Sequence, residues 1–432
     1  TRNGGEAVID LGESCDFNSV ILKEKGLNVQ KFTISVSDDN ENFTQIYAND
    51  KIEFHRLCTF DTVKARYVKL TVEKSDNLPK IREMEIYNAV PEKKNDFRVS
   101  TYSTLGGSVF GIIDDTTLSD AEKDAKIKEL IDADYYDTVT DYIDIGNVRW
   151  DEEGIIHTDG WDGIERDEDK YYAVMMRNLH EVLDEKDVNL VITILNPSGE
   201  NGNQRVMKSI TENRDTLITN MIAFANKYEF DGIDLDWEFP MSQDEFDAYN
   251  SFLQELKARM KTEMWNKEDA TLSLALGTWA LKYTPEAIEC IDYVNVMGYD
   301  ILDQDGQHSS FFSSCVQAAD YIESQGFSKE QINIGFPFYG TWEGGRMEQY
   351  AYNAISEEIS PFNNFYTMKK SDTKEDRYTY FNSQAIIRDK TAYAYLKGYG
   401  GVMIFSQYCD LPSDDERSLT KAISDYLQEV TK

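Results

Sequence analysis

Phe230-Asp231-Gly232-Ile233-Asp234-Leu235-Asp236-Trp237-Glu238-Phe239-Pro240 is the stretch on which the reading of this chain turns. In a β-strand, successive side chains point to opposite faces. Asp234, Asp236 and Glu238 then stand in a row on one face, and Ile233, Leu235, Trp237 and Phe239 cover the other. Asp is a poor strand former, and three acids in register repel one another. One account is an amphipathic strand with its acids in water. The other is a chemical site: crowded carboxylates cannot all ionise freely, so at least one pKa rises, as a general acid requires. The preceding stretch, Ser209 to Tyr228, has the amphipathic pattern of a helix, so the segment reads as part of a helix-then-strand unit. Parallel sheets built from such units are covered on both faces, which leaves little solvent for three acids.

Working outward, strands alternate with helical stretches from Phe97 to the end of the chain, the order of a parallel sheet. Eight strands are predicted: Phe97–Tyr102, Thr138–Val148, Asn189–Leu195, Gly232–Trp237, Thr271–Leu276, Tyr293–Met297, Ile332–Phe336 and Gly401–Phe405. Helical patterns fall between them, among them Ala121–Asp132, Lys170–Glu185, Asp244–Met264, Ser314–Gln325 and Ser383–Gly398. Eight such units predict an α/β fold, a (β/α)8 TIM barrel over residues 97–432, with functional groups at the C-terminal strand ends. Gly344 to Glu375 is the least regular segment and reads as a loop over the cleft.

Residues 1–90 read as all-β, with short β-rich runs such as Lys31–Ser37 and Ala65–Val72 between Gly, Asn and Asp turns. They predict a small N-terminal β-sandwich or jelly roll. Residues 91–96 are a short polar linker. His55 and Arg56 read as ordinary surface residues rather than ligand contacts.

The central run resembles the DGxDxDWE signature of glycoside hydrolase family 18, the chitinases and related endo-N-acetylglucosaminidases. Asp231, Gly232, Asp234, Asp236, Trp237 and Glu238 match it position by position. Weaker matches extend over about residues 97–432. Val8–Gly12, Ser35–Thr44, Ala65–Leu70 and Glu85–Tyr87 resemble discoidin-type (factor V/VIII type C) modules, including carbohydrate-binding ones, without the first third of that family. Such a module would tether the enzyme to its substrate, or serve as a structural spacer.

The resemblance implies a retaining, substrate-assisted hydrolysis of β-1,4 bonds next to N-acetylglucosamine, an exception to the usual two-carboxylate scheme. It gives Glu238 the role of general acid and base. Asp236 would hold the N-acetyl N–H, and Asp234 would share a proton with Asp236. Met297-Gly298-Tyr299-Asp300 resembles the family's Met-x-Tyr-Asp motif, so Tyr299 would donate to the acetamido oxygen and Asp300 would bind the sugar. Tyr102, Trp237, Met297 and Phe405 are the further substrate-binding candidates, and Trp279 and Trp342 read equally as sugar platforms or core. Gly335-Phe336-Pro337-Phe338-Tyr339-Gly340 reads as structural. Two departures stand out: Asn196-Pro197-Ser198-Gly199 where the family has Ser-x-Gly-Gly, and Phe405 where it has Trp beneath the sugar. The roughly 35 residues available between strands seven and eight are too few for the large inserted domain of deep-groove members.

The implied substrate is chitin or its oligosaccharides. The alternatives are the chitobiose core of N-glycans and, in another class, a chitinase-like lectin that binds without cutting. The chain carries a formal net charge of −35, of which residues 1–90 contribute −3. Such a surface repels nucleic acid and anionic membranes and suits a neutral sugar. Four histidines and five scattered cysteines show neither metal spacing nor a disulfide framework, so no metal and no cofactor are expected. No apolar run is long enough for a membrane span. A monomer, secreted or displayed at the cell surface, is expected; no signal peptide stands at the head of the sequence.

Overall fold

The computed structural model describes residues 4–431 except 27, 54–55, 90–93, 95, 132–136, 160–162, 165, 302–309, 343–344, 356–359, 363, 370–375 and 413; for 342–349 and 365–378 it describes the backbone alone. His55 lies outside the described residues, as does the side chain of Trp342.

The chain opens with a five-stranded antiparallel sheet: β1 (Gly5–Glu24), β2 (Val29–Ser37), β3 (Thr44–Asn49), β4 (Arg56–Ser75) and β5 (Ile81–Tyr87), in the order β3-β2-β4-β1-β5. Register shifts at Asp10/Cys15 and Phe17/Ser19 interrupt the long β1–β4 pairing, which is consistent with the expected sandwich. Phe17, Val20, Leu22, Phe32, Ile34, Val68 and Leu70 fill its separate core.

The second unit is a closed barrel of eight parallel strands: β6 (Arg98–Ser103), β7 (Asp141–Trp150), β9 (Asn189–Leu195), β10 (Gly232–Leu235), β11 (Thr271–Leu276), β12 (Tyr293–Val296), β13 (Ile332–Pro337) and β18 (Gly401–Phe405). Pairing of β6 with both β7 and β18 closes it, and the two-residue β8 (Ile156–His157) hooks back on β7. The helices are α1 (Gly106–Asp114), α2 (Asp120–Ile131), α3 (Tyr172–Leu183), α4 (Gly202–Thr211), α5 (Arg214–Lys227), α6 (Gln243–Glu263), α7 (Pro285–Cys290), α8 (Phe312–Ser324), α9 (Gln384–Lys397) and α10 (Leu419–Thr431). Strand residues facing outward, such as Ile233, Leu235, Val294 and Val296, join the core beneath these helices. Inward residues, including Tyr102, Ile143, Ile145 and Met403, fill the barrel.

The expected single helix over Ser209–Tyr228 is two helices, α4 and α5. The break falls at Glu212-Asn213, where the Asn213 side chain donates to the Glu152 carbonyl instead of continuing a helical face. The segment after β13, expected to be irregular, contains a four-stranded antiparallel sheet: β14 (Tyr339–Trp342), β15 (Gly345–Ala351), β16 (Phe365–Lys369) and β17 (Asp376–Tyr380), ordered β15-β14-β17-β16. Its strands are short and partly polar, so they carry little of the apolar periodicity that marks the barrel strands.

The two units share a polar contact at α9. Arg56, expected at the surface, is 1% exposed and pairs with the fully buried Asp389. Asp389 also accepts hydrogen bonds from the Tyr47 hydroxyl and from the backbone N–H and hydroxyl of Thr59. A buried ion pair persists when its remaining acceptor sites are filled in this way. Burial still pushes Asp389 up to about 6.

Candidate active site

β10 sets the site. Asp231 fixes its entry by exchanging hydrogen bonds with Leu190: the Asp231 N–H donates to Leu190 O at 2.7 Å, and its carboxylate accepts from Leu190 N at 2.8 Å. Gly232 follows because a Cβ there would stand 2.1 Å from Thr271 Oγ1. Beyond the strand, Ser242 and Glu245 form a capping box that starts α6 and anchors the far end of the loop.

The three acids climb from the barrel interior to the cleft. Asp234 is fully buried, Asp236 is partly buried and Glu238 is exposed. Three hydroxyls from three other strands donate to Asp234: Ser273 at 2.6 Å, Thr193 at 2.8 Å and Tyr102 at 3.0 Å. The Tyr102 hydroxyl in turn accepts from Asn295 Nδ2 at 3.1 Å, and Asn333 Nδ2 donates to Asn295 Oδ1 at 3.1 Å. Asp234 thus ends a buried polar chain that crosses the barrel.

Burial raises the pKa of Asp234, and the three hydroxyls oppose that rise. Asp236 is pushed well above the usual carboxylate range by burial first, then by the charges of Glu238 and Asp234. Its Oδ1 is buried with no hydrogen-bond partner among the described residues. Glu238, exposed toward the cleft yet partly desolvated by its walls, is raised by that desolvation first and then by the charge of Asp300. The three titrate as a group, and the acid that faces the cleft holds its proton to higher pH than an ordinary Glu.

Around them lies a cleft of about 740 Å³ at the C-terminal ends of the barrel strands. Tyr102, Asp236, Glu238, Trp279, Met297, Tyr299, Asp300 and Phe405 all line it. Phe405 stacks on Tyr299 with ring centres 5.9 Å apart and planes 20° apart, and meets Tyr102 edge-on at 5.9 Å. Asp300 has φ of 56° and accepts from the Tyr339 hydroxyl at 3.0 and 3.1 Å.

Trp237 is a correction. It is 3% exposed on the outer face of the barrel, where its Nε1 donates to Asn203 Oδ1 at 3.1 Å and its ring abuts Tyr249 edge-on. The alternation that turns the acids inward turns Trp237 away from any sugar. Phe239 is the reverse case. The alternation carries on past the end of β10 at Leu235 as far as Glu238 and fails at Phe239, which enters the cleft and stacks on Trp279 at 4.8 Å. Trp279 therefore stands in the cleft wall, with a buried Nε1 that has no partner among the described residues.

Sequence reasoning missed Thr193, Ser273 and Asn295, whose inward positions on their strands were the available signal. It also read the β13 run as structural, whereas Tyr339 lines the cleft and holds Asp300. Asn196 and Ser198, from the departing third-strand segment, line the cleft as well. Among the described residues no cluster of His, Cys, Asp and Glu is arranged to hold a metal, and no helix is long and apolar enough to cross a membrane.

Comparison with known proteins supplies a family. The F5/8 type C domain model matches residues 2–84. A class V chitinase from Arabidopsis thaliana is 26% identical over 196 residues, covering 40% of this chain and 52% of that protein. Chitinase A1 of Niallia circulans is 27% identical over 269 residues, covering 48% and 38%. The chain thus spans about half of these curated relatives, or less. Among solved structures, a chitinase from the chitin utilization locus of Flavobacterium johnsoniae superposes with a TM-score of 0.56 at 21% identity, over 78% of this chain and 96% of that one. A chitinase-like agglutinin from Robinia pseudoacacia gives 0.56 at 18% identity, over 76% and 99%. At these identities the likeness speaks for the barrel fold. The model for Glycosyl hydrolases family 18 matches residues 166–410, more than half of the chain and including the strand that leads to the three acids, so the chain belongs to that family.

Proposed function

We propose that this chain hydrolyses β-1,4 glycosidic bonds next to N-acetylglucosamine, with chitin or its oligosaccharides as substrate and retention at the anomeric carbon. The observation that carries the reading is the graded row Asp234–Asp236–Glu238 at the mouth of β10: one acid buried and hydrogen-bonded, one with an unpartnered oxygen, one open to the cleft.

Protonated Glu238 gives its proton to the leaving glycosidic oxygen. The substrate's own N-acetyl carbonyl oxygen attacks the anomeric carbon from the opposite side, and an oxazolinium ion results. Asp236, sharing a proton with Asp234, accepts the N-acetyl N–H through its unpartnered oxygen. Tyr299 donates to the acetamido oxygen as charge develops there. Water then adds at the anomeric carbon and yields its proton to Glu238, which restores the acid. Asp300, steadied by Tyr339, binds the sugar beside the scissile bond, while Phe405, Phe239 and Trp279 offer apolar faces to the rings. Residues 1–90 act as the accessory unit and 97–432 as the hydrolase. Polysaccharide or glycoprotein substrate places the enzyme outside the cell or on its surface.

The test is a paired assay of the wild type and Glu238→Gln on chitotetraose and on a high-mannose glycoprotein. Release of chitobiose by the wild type, with at least about a hundredfold loss in the variant, is the expected result. Cleavage of the glycoprotein alone, leaving one N-acetylglucosamine on the protein, moves the substrate to N-glycan cores. Binding without cleavage of either makes the chain a lectin and overturns the proposal.

A further inference from the structure

Two residues of the N-terminal unit, Glu53 and Arg56, reach the start of helix α8 in the barrel. Helix α8 begins at Phe312, and its N-cap residue, Phe311, provides no side-chain acceptor. The acceptor comes from the other unit: the carboxylate of Glu53 receives the Ser313 N–H at 2.7 Å. Glu53 is 4% exposed and sits at φ of 62°, a left-handed conformation that a long side chain rarely adopts. Arg56 lies over the ring of Phe312, 5.3 Å from its centre. Immediately before the helix, Ser310 receives two hydrogen bonds from the buried Lys390, and its hydroxyl reaches within 3.5 Å of Gly298 O. Gly298 itself packs on α8, where an added Cβ would stand 3.6 Å from Cys315 Cα. The next two residues are Tyr299 and Asp300.

A second route leads to Tyr339, which packs on the same wall as Tyr299 and Asp300. Asn364, in the inserted segment, donates to Asn49 Oδ1 at 2.7 Å and accepts from the Ser383 N–H. Neighbouring Asn382 reaches Pro337 O at 3.5 Å, two residues before Tyr339, and accepts from Lys390 at 2.7 Å. Tyr339 closes the circuit on Asp300.

We propose that the N-terminal unit is a positioning element of the cleft: Glu53, through α8, and Asn49, through the insertion, fix the segments that carry Tyr299, Asp300 and Tyr339. Its part in turnover rests on the function proposed above; its hold on the cleft wall does not. The unit then matters even for small soluble substrates, where tethering to a polymer gives no advantage.

The test is backbone hydrogen exchange in the full chain, wild type against Glu53→Ala, with kcat and KM on chitotetraose measured alongside. Amides of Met297–Ile301 should exchange at least about tenfold faster in the variant, a local opening, while those of β10 keep their wild-type rates. kcat should fall with KM little changed, and Glu53→Gln, which keeps an oxygen for Ser313, should restore both readouts. Unchanged exchange at Met297–Ile301, or equal acceleration in β10, overturns the proposal. If Glu53→Ala does not fold, Asn49→Ala read at Phe338–Gly340 decides by the same criterion. If the wild type cuts nothing, the functional reading falls and the exchange data still judge the brace.

Discussion

Tyr102→Phe separates two roles that the cleft offers this residue. Its ring lines the wall against Phe405, and its hydroxyl points down to Asp234. Phe keeps the ring and deletes the hydroxyl, so a loss of sugar contact should be small. What disappears is a 3.0 Å hydrogen bond to a buried carboxylate and the acceptor for Asn295 Nδ2. A hydrogen bond to a charged group contributes about 1.5–3 kcal/mol. Ser273 and Thr193 still donate to Asp234, so the lower end applies. At roughly 1.4 kcal/mol per tenfold, that is about one pH unit. The direction follows from which form is favoured. The hydroxyl stabilises the ionised carboxylate against burial, so its loss raises the pKa of the coupled acids further. The acid limb of kcat on chitotetraose should therefore move up by about one pH unit, with KM nearly constant. The part of the stability loss that comes from Asp234 should appear only above that limb and vanish where Asp234 is protonated in both proteins, leaving the pH-independent cost of the unpartnered Asn295 Nδ2. The readout is kcat and KM across the acid-to-neutral range, with urea unfolding at its two ends. A raised KM with an unmoved acid limb would refute the reasoning and return the hydroxyl to the substrate.

Trp237→Phe should cost about 1 kcal/mol through the lost hydrogen bond to Asn203 and leave the KM of the folded enzyme unchanged; a KM change would put Trp237 in the cleft after all. Phe239→Ala should do the opposite, raising KM about two- to tenfold by removing the stacking partner of Trp279 while stability barely moves. Asp144, on β7, is fully buried, accepts from Tyr172 and Asn147, and is pushed by burial up to about 6. Because its folded pKa is raised, its contribution is fully present below the ordinary Asp range and is lost as pH rises through about 6. Asp144→Asn should lessen the drop in stability between acid and neutral pH by about 3 kcal/mol at most, read as urea midpoints; an unchanged drop would mean that Asp144 ionises freely in the fold.

Most of the barrel was legible because each strand is a short apolar run whose partners are set by order alone. Asn189–Leu195, Thr271–Leu276 and Gly401–Phe405 begin and end where the pattern places them. The row of acids was legible for the same reason, since a period of two needs no tertiary knowledge. Phe239 was not, because the alternation continues past the strand's end at Leu235 and fails only at Phe239, and nothing in the residues marks that point. The hydroxyls around Asp234 were not legible either. Tyr102, Thr193 and Ser273 lie on three strands far apart in sequence, and only closure of the barrel brings them to one carboxylate. Arg56 misled because a lone Arg in a β-rich stretch is normally solvated; its partner, Asp389, is 333 residues away.

The two departures from the family pattern then bear on different parts of the site. The hydroxyls that hold Asp234 stand on β6, β9 and β11, whose spacing is set by parallel ladders such as Ile233↔Leu272 and Gly232↔Val191. Neither Asn196 nor Phe405 hydrogen-bonds to Asp234 or to those hydroxyls: Asn196 donates to Pro197 O beyond the end of β9, and Phe405 meets the ring of Tyr102, not its hydroxyl, along with Tyr299 and Tyr339. Replacing a Trp by Phe narrows the apolar face offered to a sugar and removes an indole N–H, while the proton-holding groups keep their distances. On the proposed function, the acid–base apparatus is built by the strand ladders, and the surface that would meet the glycan is built by loop residues, by Tyr339 and by the proposed brace from the N-terminal sheet. A change of preferred glycan within this fold needs only the second group to change. Cleft residues such as Asn196, Ser198, Phe239 and Trp279, rather than the three acids, are therefore where chitin and N-glycan cores would be told apart.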